Sequence, residues 1–269
     1  ALSISAASFG LGVGVAVGAL GSLAELTSWQ IAIHGTTALT TLSLALLLVL
    51  YQDRPEDGAL AVAAGSRLWN LSARELALVV VAGTAQVGFV TGYVVFMSFA
   101  PTLLVERGAS VARASSLVSL AALVAIGSVP LGGYLTDRTG KINLLIAGGA
   151  LATALTCVMI TLSGPPVLWI LLFGLTRGGC TGGIMSLPGH VLRPESRSTG
   201  FGIYYTVHYL GLAGLSAAAG GLLDVAGSAV APVLFAGLLW LTIVASLLAF
   251  RVLQRRWAPA GQPVADVAG

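Results

Sequence analysis

Apolar residues fall into eight runs along the chain, separated by shorter polar stretches. Each run has roughly the 20 residues that a helix needs to cross a hydrocarbon core about 30 Å thick. Helices are expected because an isolated strand cannot satisfy its backbone hydrogen bonds in lipid. The predicted spans are Leu2–Leu23, Ile31–Tyr51, Leu76–Ala100, Ala112–Tyr134, Ile142–Leu162, Pro166–Leu187, Gly200–Leu223 and Ala231–Val252.

The polar stretches divide the spans into groups. Most are short, but residues 52–75 form a longer stretch with several charged residues, and we interpret it as a linker between two helical bundles. Residues 1–51 would then hold the last two spans of a first bundle. Residues 76–252 would form a second bundle of six helices, and residues 253–269 a polar tail. The predicted fold class is all-α, a polytopic membrane bundle of about eight helices.

Composition excludes a soluble domain. The chain is 57% hydrophobic and only 9% charged, whereas soluble domains carry about 25% charged residues. The sequence pI of 9.1 does not indicate nucleic-acid binding, because the basic residues lie in short loops between apolar runs. Ala1 stands inside an apolar run without a basic segment before it, and we interpret this start as the cut edge of a longer protein.

The distribution of Lys and Arg predicts the orientation. Ten of these residues fall on the side of the linker and the tail, and two fall on the other side. Because basic loops stay in the cytoplasm, the linker and the C-terminus are predicted to be cytoplasmic. We expect a multi-pass protein of a cell membrane, such as a bacterial inner membrane.

A charged loop follows the fourth span, where residues 132–141 read GGYLTDRTGK. This string resembles the GxLxDRxGR/K loop of the major facilitator superfamily, which in that family follows the second and eighth spans on the cytoplasmic side. The fourth span here would correspond to the eighth if residues 52–75 are the family's central loop. Gly10, Gly14 and Gly18, on one face of the first span, resemble the glycine-rich fifth span and would allow close helix packing.

The resemblance extends to residues 192–200 and 220–224, before and at the end of the family's eleventh span. It implies two six-helix bundles around a central cavity and transport by alternating access, with about four spans preceding this chain. It also implies a conformational latch formed by Gly133, Asp137, Arg138, Gly140 and Lys141. The alternative is a charged turn that only sets the topology.

Arg177 is the one basic residue predicted to lie deep within a span, near the middle of the sixth. Ionisable groups deep in a membrane are costly and usually face a cavity. Arg177 is therefore a candidate to attract an anionic substrate or to pair with a carboxylate. The alternative is a structural pair, or a side chain that extends to the membrane surface.

Other polar side chains share helix faces within the spans. Tyr204 lies one turn before His208, and Gln86 lies two turns before Tyr93. With Tyr205, these are the further candidate substrate-binding residues, although tyrosine is also common in helix packing. His208 titrates near neutral pH when unperturbed, so protons are a candidate coupling ion.

These observations favour a secondary transporter of a small solute, in particular an organic or inorganic anion. Export of drugs or metabolites by the same fold is the alternative, and a channel is a weaker one. An intramembrane enzyme is disfavoured because the sequence contains no GxSG, HExxH or P-loop motif. We expect no cofactor and no metal. The expected partners are the small-molecule substrate and the lipid bilayer, with no nucleic acid, and the protein is expected to be a monomer.

Overall fold

The computed structural model describes residues 28–50, 71–162 and 164–257, with only the backbone given for Trp29 and Ala32. Within these ranges all regular secondary structure is helical, which confirms the predicted fold class. The α-helices are α1 (Trp29–Leu50), α2 (Ala73–Glu106), α3 (Val111–Thr139), α4 (Ile142–Leu162), α5 (Pro166–Thr176), α6 (Gly178–Ser186), α7 (Arg197–Ala226) and α8 (Val230–Arg256).

Seven helical stretches in the described ranges are long and apolar enough to cross a membrane. The helices α5 and α6 together form one of them, because the sixth predicted span is interrupted at Arg177. The first predicted span, with Gly10, Gly14 and Gly18, lies outside the described residues. The division of the chain into two bundles and a linker stays a prediction.

Several helices extend beyond the apolar runs that predicted them. The helix α2 begins at Ala73 rather than Leu76, because Ser72 and Glu75 form a capping box. The Ser72 hydroxyl accepts from the Glu75 amide at 3.2 Å, and the Glu75 carboxylate accepts from the Ser72 amide at 2.9 Å. At their C-terminal ends α3 and α7 stop at Gly140 and Gly227, whose φ angles of 67° and 65° suit glycine.

The helix α2 packs against α3, α7 and α8, and polar contacts bind both of its ends. At its C-terminal end Glu106 accepts from the Ser228 hydroxyl at 2.9 Å and the Ala229 amide at 2.8 Å. Arg107 donates to the carbonyl oxygens of Ile160 and Thr161 at 2.7 and 2.5 Å. Those carbonyls belong to the last turn of α4 and have no intrahelical partner. We call this end of the bundle the far end.

At the other end, the linker end, α2 and α7 begin and α8 finishes. Here the Arg251 guanidinium donates to Asn143 Oδ1 at 2.9 and 2.7 Å, which connects the end of α8 to the start of α4. These contacts lie at the two ends of the helices, and the apolar core lies between them.

Every described side chain of α1 is exposed, and this apolar helix carries several hydroxyl groups. Each of these hydroxyls donates to a carbonyl oxygen three or four residues earlier in α1, so none needs a partner from outside the helix. The hydroxyls are those of Thr36, Thr37, Thr40, Thr41 and Ser43. This is how polar side chains are tolerated on a surface without water.

The closest crossing in the bundle joins α3 to the interrupted sixth span. A Cβ atom at Gly132 would collide with the Gly178 carbonyl oxygen, and one at Gly178 would collide with the Ser128 carbonyl oxygen. A Cβ atom at Gly174 would lie 2.5 Å from the Ala121 carbonyl oxygen. The Ser128 hydroxyl donates to the Gly174 carbonyl oxygen at 2.7 Å. Glycine allows this backbone-to-backbone approach, as in other membrane helix pairs.

The crossing predicts a difference between two glycines of α3. Gly132→Ala should lower the free energy of unfolding by about 2 kcal/mol, because the new methyl group meets backbone that cannot move aside. Gly127→Ala should leave it unchanged or raise it by up to about 1 kcal/mol, since open space surrounds Gly127 and alanine favours a helix. Denaturant unfolding of the purified full-length protein in detergent measures both. Equal effects would contradict the role given to the crossing.

Candidate functional site

Arg177 lies at the interruption between α5 and α6. Its backbone keeps right-handed helical angles, with φ −62° and ψ −26°. The hydrogen-bond pattern changes there, because the Cys180 amide donates to the Arg177 carbonyl oxygen three residues back. The side chain is buried, with 4% of its surface exposed. The glycine crossing holds the backbone on one side of Arg177, and the guanidinium lies over rings of α2.

The guanidinium contacts an aromatic cluster. Its Cζ atom lies 3.9 Å from the centroid of the Tyr93 ring and 5.3 Å from that of Phe89. The Trp240 ring of α8 meets two rings edge-to-face. Its centroid lies 5.4 Å from that of Phe89 and 5.9 Å from that of Phe173 on α5. Rings from three helices therefore form one cluster, in which the Tyr93 and Phe89 rings of α2 contact the cation. A cation over aromatic faces gains about 2 kcal/mol when it is removed from water.

The donors in this cluster lack acceptors. No described residue accepts a hydrogen bond from Nε or Nη1 of Arg177, and the Tyr93 hydroxyl and Trp240 Nε1 also have no partner there. Nor does the described chain place a carboxylate within ion-pair distance of Arg177. Because a buried donor without an acceptor costs about 1–3 kcal/mol, the cluster is suited to a ligand rich in acceptor atoms.

A second polar pair joins α2 to α7. The Tyr204 hydroxyl donates to Gln86 Oε1 at 3.0 Å, and both side chains are buried. His208, one turn further along α7, is also buried, and its Nδ1 has no partner among the described residues. The neighbouring Tyr205 is 42% exposed and packs its ring against Tyr204 at 5.2 Å.

The predicted substrate residues thus form two pairs, Arg177 with Tyr93 and Tyr204 with Gln86. The helix α2 connects the pairs, because Gln86 and Tyr93 lie two turns apart on one of its faces. Tyr205 joins neither pair. Sequence reasoning missed Phe89, Phe173 and Trp240, because an apolar ring inside an apolar span does not differ from ordinary packing residues.

Sequence reasoning also missed Glu75, which it placed in the linker. The side chain is 5% exposed and forms an ion pair with Arg193 at 3.0 Å. Ser196 donates to the same carboxylate at 2.8 Å. The hydrogen bonds to Glu75 raise the pKa of the Arg193 guanidinium above its ordinary value. The pattern Ser72-x-x-Glu75 before an apolar run is a capping-box signature and predicts a helix start there.

Comparison with known proteins identifies the family. A protein-family model described as Major Facilitator Superfamily matches residues 1–216. The chain belongs to the major facilitator superfamily. A relative from Danio rerio, the lysosomal dipeptide transporter MFSD1, is 24% identical over 157 residues, which cover 58% of this chain and 34% of the relative. The chain therefore spans about a third of the length of that relative.

Membership of the major facilitator superfamily confirms the resemblance first carried by residues 132–141. Together with the apolar helices, it makes the chain part of a multi-pass membrane protein of a transporter family rather than an enzyme family. The predicted orientation, with a cytoplasmic linker and C-terminus, stays a prediction.

The predicted latch residues lie at the linker end of this major facilitator chain. Gly133 is buried, and Gly140 ends α3 in the left-handed conformation. Asp137 is exposed and accepts no hydrogen bond from the described residues. Arg138 donates to the Tyr134 hydroxyl at 3.3 Å, and Lys141 is exposed before α4. The latch interpretation therefore has no contact partner within the described ranges and stays a prediction.

The Tyr204–Gln86 hydrogen bond can be tested by stability. Tyr204→Phe should lower the free energy of unfolding by about 1–3 kcal/mol, because it leaves the buried Gln86 oxygen without a donor. Tyr209→Phe is the matched control on the same helix, since Tyr209 is 62% exposed. Denaturant titration of both full-length variants in detergent provides the measurement. An unchanged Tyr204→Phe protein would show that the hydrogen bond contributes nothing.

Proposed function

We propose that this chain is part of a secondary active transporter that moves a small solute with a negatively charged group by alternating access. The observation that carries the proposal is the buried Arg177 guanidinium, which has no carboxylate partner in the described chain. The family supports transport, and the arginine supports the class of solute.

The energetics favour an anion at Arg177. Arginine does not lose its proton in proteins, so the buried group stays charged. A buried and unpaired charge costs several kcal/mol, and the contact with the Tyr93 ring offsets about 2 kcal/mol of that cost. An anionic group of the solute would supply the remaining compensation through charge-assisted hydrogen bonds.

Dipeptides and small monocarboxylates are the first solutes to test. The name of the Danio rerio relative assigns it dipeptide transport, and a dipeptide carries a carboxylate that fits the charge of Arg177. Gln86, Tyr93, Tyr204 and Tyr205 are proposed to bind polar parts of the solute. His208 is proposed as a site for a coupling proton, because it is buried one turn beyond Tyr204 on the same face of α7.

Export of cationic drugs is less well supported. A cationic solute would be stabilised by a carboxylate at mid-depth in the membrane. In the described ranges the acidic residues lie at helix ends or in the turn before α7. They are Glu75, Glu106, Asp137, Glu195 and Asp224.

The proposal predicts the effect of Arg177→Gln on transport. The full-length protein is reconstituted in liposomes, and saturable uptake of labelled dialanine, of lactate and of a cationic dye is measured. Arg177→Gln should raise KM for the preferred anionic solute at least about tenfold, equivalent to about 1.4 kcal/mol of lost binding. Arg177→Lys should have a smaller effect, because it keeps the charge.

Arg113→Gln is the control, since Arg113 is an exposed arginine in the first turn of α3, and its KM should not change. The anion assignment fails if KM is the same with and without the Arg177 charge. Transport of the cationic dye alone would favour the export alternative.

The proposed latch predicts a different kinetic effect. Asp137→Asn should lower the maximal uptake rate about tenfold, or about 1.4 kcal/mol in the barrier, with little change in KM. A latch affects the exchange between conformations rather than solute contacts. Asp224→Asn is the control, because Asp224 is an exposed carboxylate near the end of α7, at the far end of the bundle. A normal rate in Asp137→Asn would leave the charged turn as a topology element only.

A further inference from the structure

The Glu75 carboxylate joins the start of α2 to the segment before α7. Its Oε1 atom accepts from the backbone amide of Arg193 at 3.2 Å, from Arg193 Nε at 3.1 Å and from the Ser196 hydroxyl at 2.8 Å. Its Oε2 atom accepts from Arg193 Nη2 at 3.0 Å and from Ser72. We call Glu75, Arg193 and Ser196 the linker-end clasp.

The clasp holds the beginning of α7 directly. Residues 194–196 form a 3-10 turn that leads into α7 at Arg197, so no flexible connection separates the clasp from the helix. Pro194 restricts the backbone of that turn further. The side chain of Leu192 fills the space beside Gly200, which fixes the first turn of α7 at a second point.

Beyond the clasp, α2 and α7 run in the same direction and contact each other closely. A Cβ atom at Gly83 would lie 3.1 Å from Val207, and one at Gly211 would lie 2.6 Å from Val87. Gln86, between Gly83 and Val87 on α2, accepts the hydrogen bond from Tyr204, which precedes Val207 on α7 by three residues. Gln86 is eleven residues beyond Glu75, which is about 16 Å along an α-helix.

These contacts make the axial position of α7 important. At both contacts a glycine packs against a valine, and apolar packing of this kind is non-directional. The clasp, in contrast, is directional, because a guanidinium and a hydroxyl must reach one buried carboxylate. A small axial shift of α7 would break these hydrogen bonds and move Tyr204 away from Gln86.

We propose that the linker-end clasp sets the axial position of α7 on α2, and that Glu75 is thereby a positioning residue for the Tyr204–Gln86 pair. The solute-affinity part of this inference rests on the proposed function. The positional part rests on the contacts alone and is tested separately.

The test is a double-mutant cycle on the full-length protein. Glu75→Gln, Tyr204→Phe and the double variant are compared by thermal unfolding midpoint in detergent and by KM for dialanine or lactate uptake in liposomes. Sites this far apart normally have additive effects. We expect non-additivity instead, with the double variant shifted hardly more than the larger single variant in both measurements.

Arg107→Gln is the control. Arg107 also makes hydrogen bonds at the other end of α2, but it donates to the Ile160 and Thr161 carbonyl oxygens of α4 and not to residues of α7 or beside it. Its effect on the unfolding midpoint should add to that of Tyr204→Phe. Coupling of equal size in both cycles would mean that α2 transmits any disturbance, and it would overturn the specific role of the clasp.

Arg193→Gln repeats the cycle in case Glu75→Gln folds poorly, because it keeps the capping box of α2. Arg193→Lys should restore part of the coupling, since it keeps the charge but not the planar fork. Additive unfolding midpoints in the Glu75 cycle and in the Arg193 cycle overturn the inference. If the midpoints are coupled but Tyr204→Phe leaves KM unchanged, the clasp is supported and the proposed solute contact of Tyr204 fails.

Discussion

The backbone crossing between α3 and the sixth span is the constraint on which the candidate site depends. Gly132, Gly174 and Gly178 remove the side chains that would keep the two backbones apart. The Ser128 hydroxyl then satisfies a carbonyl oxygen of α5 just before the interruption. With its backbone held in this way, Arg177 lies against the rings of α2, in a position that an uninterrupted span packed through larger side chains would not allow.

Charged groups at the ends of α2 and in the interior of the described bundle have different environments. At the ends of α2 they are fully engaged, since Glu75, Glu106 and Arg107 all have partners on other segments. In the interior Arg177 has aromatic faces but no acceptor. Charges at the ends therefore contribute to the geometry of the bundle. The unpaired interior charge contributes little to stability, and an anionic ligand that pairs with it would remove part of the cost of its burial.

Apolar runs were sufficient to predict the helices, and the motif in residues 132–141 indicated the family, because both are patterns along one chain segment. The pattern of apolar runs also identified Arg177, since a charge in an apolar run is conspicuous. It could not show that Tyr204 meets Gln86, because that contact depends on the rotation of two helices separated by more than a hundred residues. Glu75 was missed for another reason: its polar neighbours resembled a loop, and its partner is distant in sequence.

The permanent charge of Arg177 has an electrical consequence under the proposed function. An empty site carries one positive charge, and a site occupied by a monoanion, with no proton on His208, is neutral. The membrane voltage would then act on the return of the empty carrier and not on the movement of the loaded one. Up to about 2.3 kcal/mol per 100 mV is available for a charge that crosses the whole field. Voltage would thereby control the turnover rate of such a carrier, and its apparent affinity through the fraction of empty carriers that face the solute.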